Sequence, residues 1–440
     1  MTFALLKNKR ITFTLLAVIF RMLLDRSYVN ISDLFEYLGI VYLPRSLPWI
    51  IFSYALLMLV AYTLPQDHNR PSTMILLFLF LITFIPITTF YALNSQTSVM
   101  PLLYITFIFV FINIAVRDSG LLRINTGKLE VPREIFFFFI LIFSIVAYTV
   151  LIYRFGFTMH IPSFDETRDL REAYRGENNR LIIYLFKWQS SIINPLLFIL
   201  GLYYRNVWLI IFSITGQLYI YSIGGQKTIF FINFLVLFVF IGTKYYRKAF
   251  NNFILISLIL LVFLLMVADF LINDYSLLSS ILVRRMFLVP AQFFYYYYDY
   301  FSVHPVDLFA QNFPFSVFLT SHYNVEIPFM IADHFINKTV HANANMFADS
   351  YANLGITGFF VIGFFFLLIL KFLDAVSRYK NIAIVLPLLS FSVINIANSS
   401  LITTLITHGL LFTLFVITIM PYNTRNHKGI AHEGNQGQAI

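Results

Sequence analysis

The chain has 440 residues, of which 59% are hydrophobic and only 12% are charged. A water-soluble domain carries about a quarter charged residues, so the composition excludes an ordinary soluble enzyme and favours one integral membrane domain over 1–440. The net charge of +9 resides in short loops and indicates membrane topology rather than nucleic-acid binding, and the absence of cysteine excludes disulfides, iron–sulfur clusters and thiolate zinc sites.

Twelve apolar segments predict an all-α polytopic membrane protein, because a membrane-spanning helix needs about 20 mostly apolar residues. The first segment lacks a small-residue cleavage site, so we expect a retained span rather than a signal peptide, although Arg21 lies inside it. The predicted spans are 11–28, 48–64, 72–92, 98–116, 135–155, 181–203, 205–222, 228–243, 252–271, 353–372, 381–398 and 401–421.

Every second connection between these spans carries Lys or Arg. Such basic loops usually stay in the cytoplasm. The clearest basic loop is KYYRK at 244–248. The alternation predicts that both termini are cytoplasmic and that the opposite connections face the other side of the membrane. Two of those connections are long, a loop at 156–180 and a large loop at 272–352 with amphipathic helices, and long loops usually carry function.

The first long loop contains FDETRDLREAYRGENNR at 164–180. Arg168, Arg171 and Arg175 fall on one face of a helix, and guanidinium groups bind diphosphate oxygens in a bidentate way. The interspersed acidic residues leave open a solvated surface helix held by salt bridges.

Two ionisable residues lie about a third of the way into their spans. Lys187 and His408 are costly in hydrocarbon and predict a polar cavity that opens outward. A structural buried pair is the alternative.

The stretch YSIGGQKTIFF at 221–231 places Lys227 at a turn between two spans. Adjacent glycines let backbone N–H groups approach an anion, and the next helix offers its positive N-terminal end. The alternative is a tight hairpin with a lysine that reaches to the interface.

The large loop begins with ILVRRMFLVPAQFFYYYYDYFSVHP at 281–305. We expect the tyrosines to anchor the chain at the headgroup level, where aromatic residues accumulate. Arg284 and Arg285 form an arginine pair at the same level, and such a pair needs an anionic partner.

The stretch HANANMFADSYANLGITG at 341–358 is polar and precedes another apolar span. His341, Asn345 and Asp349 are spaced four residues apart, which predicts one helical face. Gly355 and Gly358 are three apart, and we expect them to let the next helix pack closely. A structural histidine is the alternative.

The layout resembles the bacterial O-antigen polymerase (Wzy-type) family, which extends lipid-linked oligosaccharides in the periplasm. Three motifs carry the resemblance: GGQKT (224–228), RRMFLVPAQFFYYYYDYF (284–301) and the His–x–Asn…Gly–x–x–Gly entry at 341–358. The last motif is shared with the related O-antigen ligases. Ligases often read His–x–His–Asn where this chain has HAN, which favours a polymerase.

The resemblance implies a GT-C-like membrane glycosyltransferase in the bacterial inner (cytoplasmic) membrane. It would use undecaprenyl-diphosphate-linked oligosaccharides, contact membrane lipids and work with a chain-length regulator protein. It needs no metal and no cofactor. His341 would accept the acceptor proton. The residues expected to bind the substrate and its diphosphate are Lys227, Arg284, Arg285, Arg168, Arg171, Arg175, Asn345 and Lys187.

Alternative functions remain open on the sequence alone. A ligase shares the site layout. A flippase needs a cationic cavity across the bilayer, and a transporter usually has helices that are broken near mid-membrane. No Walker lysine loop or dinucleotide glycine fingerprint is present in the sequence.

Overall fold

The computed structural model describes residues 8–117, 131–163, 166–177, 179–272, 277–312 and 314–421. These residues form helices and connections without a strand, apart from an isolated bridge between Leu43 and Asn94. The sequence-based expectation of an all-α polytopic membrane protein is therefore confirmed for the described part of the chain.

The first ten helices lie between residues 9 and 271. They are α1 (Lys9–Phe35), α2 (Leu47–Thr63), α3 (Pro71–Leu93), α4 (Met100–Arg117), α5 (Arg133–Phe155), α6 (Glu166–Arg175), α7 (Arg180–Tyr204), α8 (Val207–Gly224), α9 (Lys227–Tyr245) and α10 (Phe250–Leu271). Three-residue 3₁₀ turns follow α1 at Glu36–Leu38 and precede α10 at Arg247–Ala249.

The remaining helices begin with a continuous one, α11, over 277–301. It is followed by α12 (Ile327–Ile336), α13 (Met346–Leu354), α14 (Ile356–Ser377), α15 (Ile382–Asn398), α16 (Leu401–Ile406) and α17 (Leu410–Ile419). A 3₁₀ turn at Phe315–Val317 lies between α11 and α12.

Eight helices of the described chain are long and apolar enough to cross a membrane: α3, α4, α5, α7, α8, α9, α10 with its preceding turn, and α14. The four other predicted spans also coincide with helices, but α1 carries charge, α2 and α15 have 17 residues each, and the last span is broken into α16 and α17. Helix α3 is buried along its length, so it forms the centre of the bundle.

Contacts between connections define two ends of the bundle. At the first, the Lys9 end, Lys9 Nζ lies 3.4 Å from the Lys248 carbonyl, and the Arg70 guanidinium donates to the Val116 carbonyl at 3.2 Å. The amide N–H of Val131 donates to Ile419 O at 3.3 Å.

At the second, the Gly225 end, Gln292 donates to the Leu38 carbonyl at 2.6 Å and Arg45 Nε donates to the Tyr91 carbonyl at 2.9 Å. Tyr219 donates to Gly156 O at 2.9 Å. The connections therefore sort into the two groups that the alternation of basic loops predicts.

Three helices of the described chain contain a widened π-helical segment, and each segment ends two residues before a proline. The segments are Phe80–Phe84, Gln189–Ile193 and Ser280–Leu288, and the prolines are 86, 195 and 290. Proline lacks an N–H and its ring clashes with the carbonyl four residues earlier, so widening the helix there relieves the clash.

A charged pair lies on α1, and its arginine is fully buried inside the bundle. Arg21 is 0% exposed, and its Nε lies 2.5 Å from Asp25 Oδ1 one turn later. Thr88 accepts a second hydrogen bond at 2.6 Å, and Tyr54 donates to Asp25 at 2.7 Å. Because Asp25 neutralises Arg21, the first predicted span can pack inside the bundle even though it contains an arginine.

Candidate functional site

The polar stretch before α14 does not form the single helical face that the spacing predicts. Helix α13 begins at Met346, and Asn345 is its N-cap, with Oδ1 accepting from the N–H groups of Phe347 and Ala348 at 3.0 and 3.2 Å. His341 therefore lies in the extended segment before the helix. The prediction of one face was wrong because an asparagine cap starts the helix four residues after the histidine.

His341 is exposed at the Gly225 end. Its Nδ1 lies 2.7 Å from Asn343 Oδ1, and its ring packs edge-on against Phe329 at 5.2 Å between ring centroids. In the neutral tautomer that donates from Nδ1 to this amide oxygen, Nε2 carries the lone pair. Asn345 is 2% exposed, and its amide oxygen is engaged in the cap.

Asp349 lies on the side of α13 that faces the loop after α11. Burial raises the pKa of this carboxyl group from near 3.8 to about 7; the Asn312 amide opposes the shift and the Asp307 carboxylate adds to it. Asp307 is itself held by the Ser321 hydroxyl at 2.5 Å and by the N–H of Gln311 at 3.1 Å. The carboxyl group of Asp349 therefore binds its proton more tightly than an exposed aspartate does.

The two glycines after α13 have different roles. Gly355 has a φ of +59° between α13 and α14, so it turns the chain rather than packing a helix face. A Cβ at Gly358 would lie 2.1 Å from the Ser350 carbonyl oxygen, so this glycine lets α14 approach the backbone of α13. The expected close packing is present at Gly358 only.

The turn between α8 and α9 is covered by α6. Arg171 Nε donates to the Gly225 carbonyl at 2.9 Å, and a Cβ at Gly225, where φ is +58°, would lie 2.7 Å from Thr167 O. Lys227 is the first residue of α9 and is exposed. The structure therefore brings one predicted arginine segment onto the predicted glycine–lysine turn.

The other two arginines that the sequence predicted as ligands in that segment are Arg168 and Arg175. Arg168 is exposed and paired with Glu172 at 3.3 Å, which matches the alternative of a salt-bridged surface helix. Arg175 ends α6, and its side chain lies outside the described residues.

The arginine pair of α11 lies on a different group of helices, because α11 packs against α1, α3, α12 and α13. Arg284 Nε donates to the Ser280 hydroxyl at 3.0 Å, and the guanidinium stacks on Phe35 at 4.2 Å. Burial, and then Arg285, lowers the pKa of Arg284. No acidic side chain pairs with either arginine in the described chain.

We expected the tyrosine run to anchor the chain at the headgroup level, but its rings are packed inside the protein. Tyr295 and Tyr297 are 0% and 3% exposed, and Tyr296 stacks on Phe335 with ring centroids 4.3 Å apart. The prediction was wrong because α12 and α13 cover this helix, so its rings form core.

Lys187 and His408 lie near each other, close enough to interact electrostatically. Both are half-buried. His408 falls in the gap between α16 and α17, and Gly409, with φ at +79°, lies against Trp188. The two residues that the sequence assigned to one cavity are thus neighbours.

A buried amide network joins α5, α7 and α8, and the sequence reading missed it. Asn194 donates to Gln217 at 3.0 Å and accepts from Tyr148 and Gln189, both at 2.8 Å. Gln189 also donates to Ser144 at 3.2 Å. Three amides inside apolar spans are the signal that could have revealed it.

Comparison with protein-family models, with curated proteins and with solved structures gave no match. The class of protein therefore follows from the fold alone: an all-α polytopic membrane protein.

Proposed function

We propose that the protein polymerises undecaprenyl-diphosphate-linked oligosaccharide units into O-antigen or a related surface polysaccharide. In this proposal the chain is a GT-C-like glycosyltransferase with twelve spans in the bacterial inner membrane, and the Gly225 end faces the periplasm. Its partners are the lipid-linked glycan, membrane lipids and a chain-length regulator.

One observation carries the proposal: Arg171 contacts the turn at Gly225, which leads into Lys227, and this turn shares its end of the bundle with Arg285 and His341. Polysaccharide polymerisation on a lipid diphosphate requires cations for the leaving group and a proton acceptor for the hydroxyl at the same membrane face. The long loops supply both kinds of group at this end.

The chemistry is a glycosyl transfer. An acceptor hydroxyl oxygen attacks the anomeric carbon, the bond between that carbon and the diphosphate oxygen breaks, and the lipid diphosphate leaves with the bonding electrons. The hydroxyl proton passes to His341 Nε2, while the cations stabilise the negative charge of the diphosphate. Because diphosphate is a good leaving group, the step needs neither a metal nor a general acid.

The glycan phenotype of a deletion strain tests the reaction class. Loss of a polymerase leaves one repeat unit on the lipopolysaccharide core, loss of a ligase leaves none, and loss of a flippase traps units inside the cell. A deletion strain with normal glycan ladders would contradict all three.

The histidine is tested in the same strain by complementation. General-base catalysis contributes about 10²- to 10⁴-fold, so His341→Ala should give stable, inserted protein and one-repeat glycan. Asn343→Ala is the matched control: it removes the hydrogen bond to Nδ1 but keeps the imidazole, and should shorten chains less. Wild-type chain lengths with His341→Ala would remove this residue from the mechanism.

A lipid-linked oligosaccharide flippase or transporter is the second candidate. The break between α16 and α17 favours it, because interrupted helices in membranes often present their ends to an ionic substrate. The trapped-unit phenotype distinguishes it from a polymerase.

A further inference from the structure

Several hydrogen-bond donors that have no acceptor within α17 lie at the gap between α16 and α17. Helix α17 begins after Gly409, and its first helical bond runs from Thr413 N to the Gly409 carbonyl at 2.8 Å. The N–H groups of residues 410–412 precede that bond, so they form a positive helix end. This end lies within the last predicted span, 401–421.

Four side chains lie near this helix end. The ammonium group of Lys187 and the ring of His408 interact with each other, and neither has a hydrogen bond or an acidic partner in the described chain. Trp188 Nε1 is buried without a hydrogen-bond partner and lies 2.8 Å from where a Cβ of Gly409 would be. Thr404, one turn before His408, is 0% exposed and its hydroxyl is also unpartnered.

The position is held by packing rather than by these polar groups. The indole of Trp188 stacks on Phe412 with centroids 4.6 Å apart and planes 12° apart, and it also stacks on Tyr184. The ring therefore fixes α7 against the start of α17. A half-buried ammonium group beside a histidine with no counter-charge is unfavourable in a membrane, and a bound anion would relieve this cost.

We propose that Lys187, the indole N–H of Trp188, His408 and the N-terminal end of α17 bind the diphosphate group of a membrane lipid. The choice of a lipid diphosphate as the ligand rests on the proposed function. The presence of the donor groups is observed independently of that function. The site lies apart from Arg284, which packs on α1 and α11. It would thus hold a lipid diphosphate within the membrane, below the loops.

The experiment measures thermal unfolding of the purified full-length protein with farnesyl diphosphate, farnesol or inorganic pyrophosphate. We expect farnesyl diphosphate to raise the unfolding temperature, farnesol to have no effect, and pyrophosphate to bind at least tenfold more weakly than farnesyl diphosphate. An equal response to pyrophosphate and farnesyl diphosphate would overturn the lipid assignment. No response of the wild-type protein to farnesyl diphosphate would overturn the site.

Lys187→Met separates binding from structure. A hydrogen bond to a charged group contributes about 1.5–3 kcal/mol, so the variant should need at least tenfold more farnesyl diphosphate for the same stabilisation. The ligand-free variant should be at least as stable as wild type, because an uncompensated ammonium group is removed. Lys187→Arg should retain binding, and Lys244→Met, at the Lys9 end, is the matched control. Unchanged binding by Lys187→Met would overturn the proposal.

The glycan assay keeps the two proposals distinguishable. Normal ladders in the deletion strain, together with farnesyl diphosphate binding that depends on Lys187, would reject the polymerase and keep the anion site. Lost ladders in the deletion strain, together with normal ladders and normal binding for Lys187→Met, would reject the anion site alone.

Discussion

The carboxyl group of Asp349 binds its proton more tightly than a solvent-exposed aspartate. The causes are burial and, to a smaller extent, the Asp307 carboxylate, which faces it together with the buried hydroxyl of Tyr297. From about pH 4 to about pH 7 the folded protein therefore holds a proton that the unfolded chain has released. Stability from this group is present at low pH and is lost as the pH rises through 7.

Asp349→Asn should make stability less dependent on pH. Asparagine keeps the shape of the side chain and does not ionise, so the unfolding temperature of the variant should fall less than that of wild type between pH 5 and pH 8. Burial also raises the pKa of Asp299 to about 6. Asp299 therefore also lowers stability as the pH rises, so the variant should keep part of the pH dependence of its unfolding temperature. Thermal unfolding of both proteins across this range is the measurement, and parallel curves would contradict the assignment.

At the scale of the helices, the close approach of α13 and α14 depends on one missing side chain. Gly358→Ala places a Cβ against the Ser350 carbonyl, and extra atoms in a packed core cost about 1–3 kcal/mol. Gly363→Ala is the matched control, because its Cβ would meet the Ile108 side chain at 3.0 Å, which can move. We expect Gly358→Ala to lower the unfolding temperature and the folded yield more than Gly363→Ala. Equal yields and equal unfolding temperatures would show that the two helices can separate without cost.

Sequence reasoning located most helices but not their interruptions. Lipid requires a long apolar segment for every span, so the segments around α3, α5 and α14 are visible in composition. The break at Gly409 is not, because glycine is common inside membrane helices and only the tertiary contact with Trp188 shows where the chain turns. The face of His341 was mispredicted for a related reason: spacing alone cannot show that Asn345 caps a helix.

At the scale of the whole molecule, the contacts fix which connections share an end of the bundle. The alternation of basic loops predicts a periplasmic Gly225 end. A periplasm-dependent reporter fused at Ser302 or Glu172 should be active, and the same reporter at Tyr246 should be inactive. The reverse pattern would invert the orientation and would move His341 to the cytoplasm.

The amide network around Asn194 has a consequence for how the chain enters the membrane. Helix α7 carries Gln189 and Asn194 into the bilayer, and Gln217, to which the Asn194 side chain donates, follows on α8. An amide in lipid without a partner is unfavourable, and only Arg205 and Asn206 separate the two helices. Because the Asn194 side-chain N–H finds its acceptor on α8, we expect α7 and α8 to enter lipid together as one hairpin.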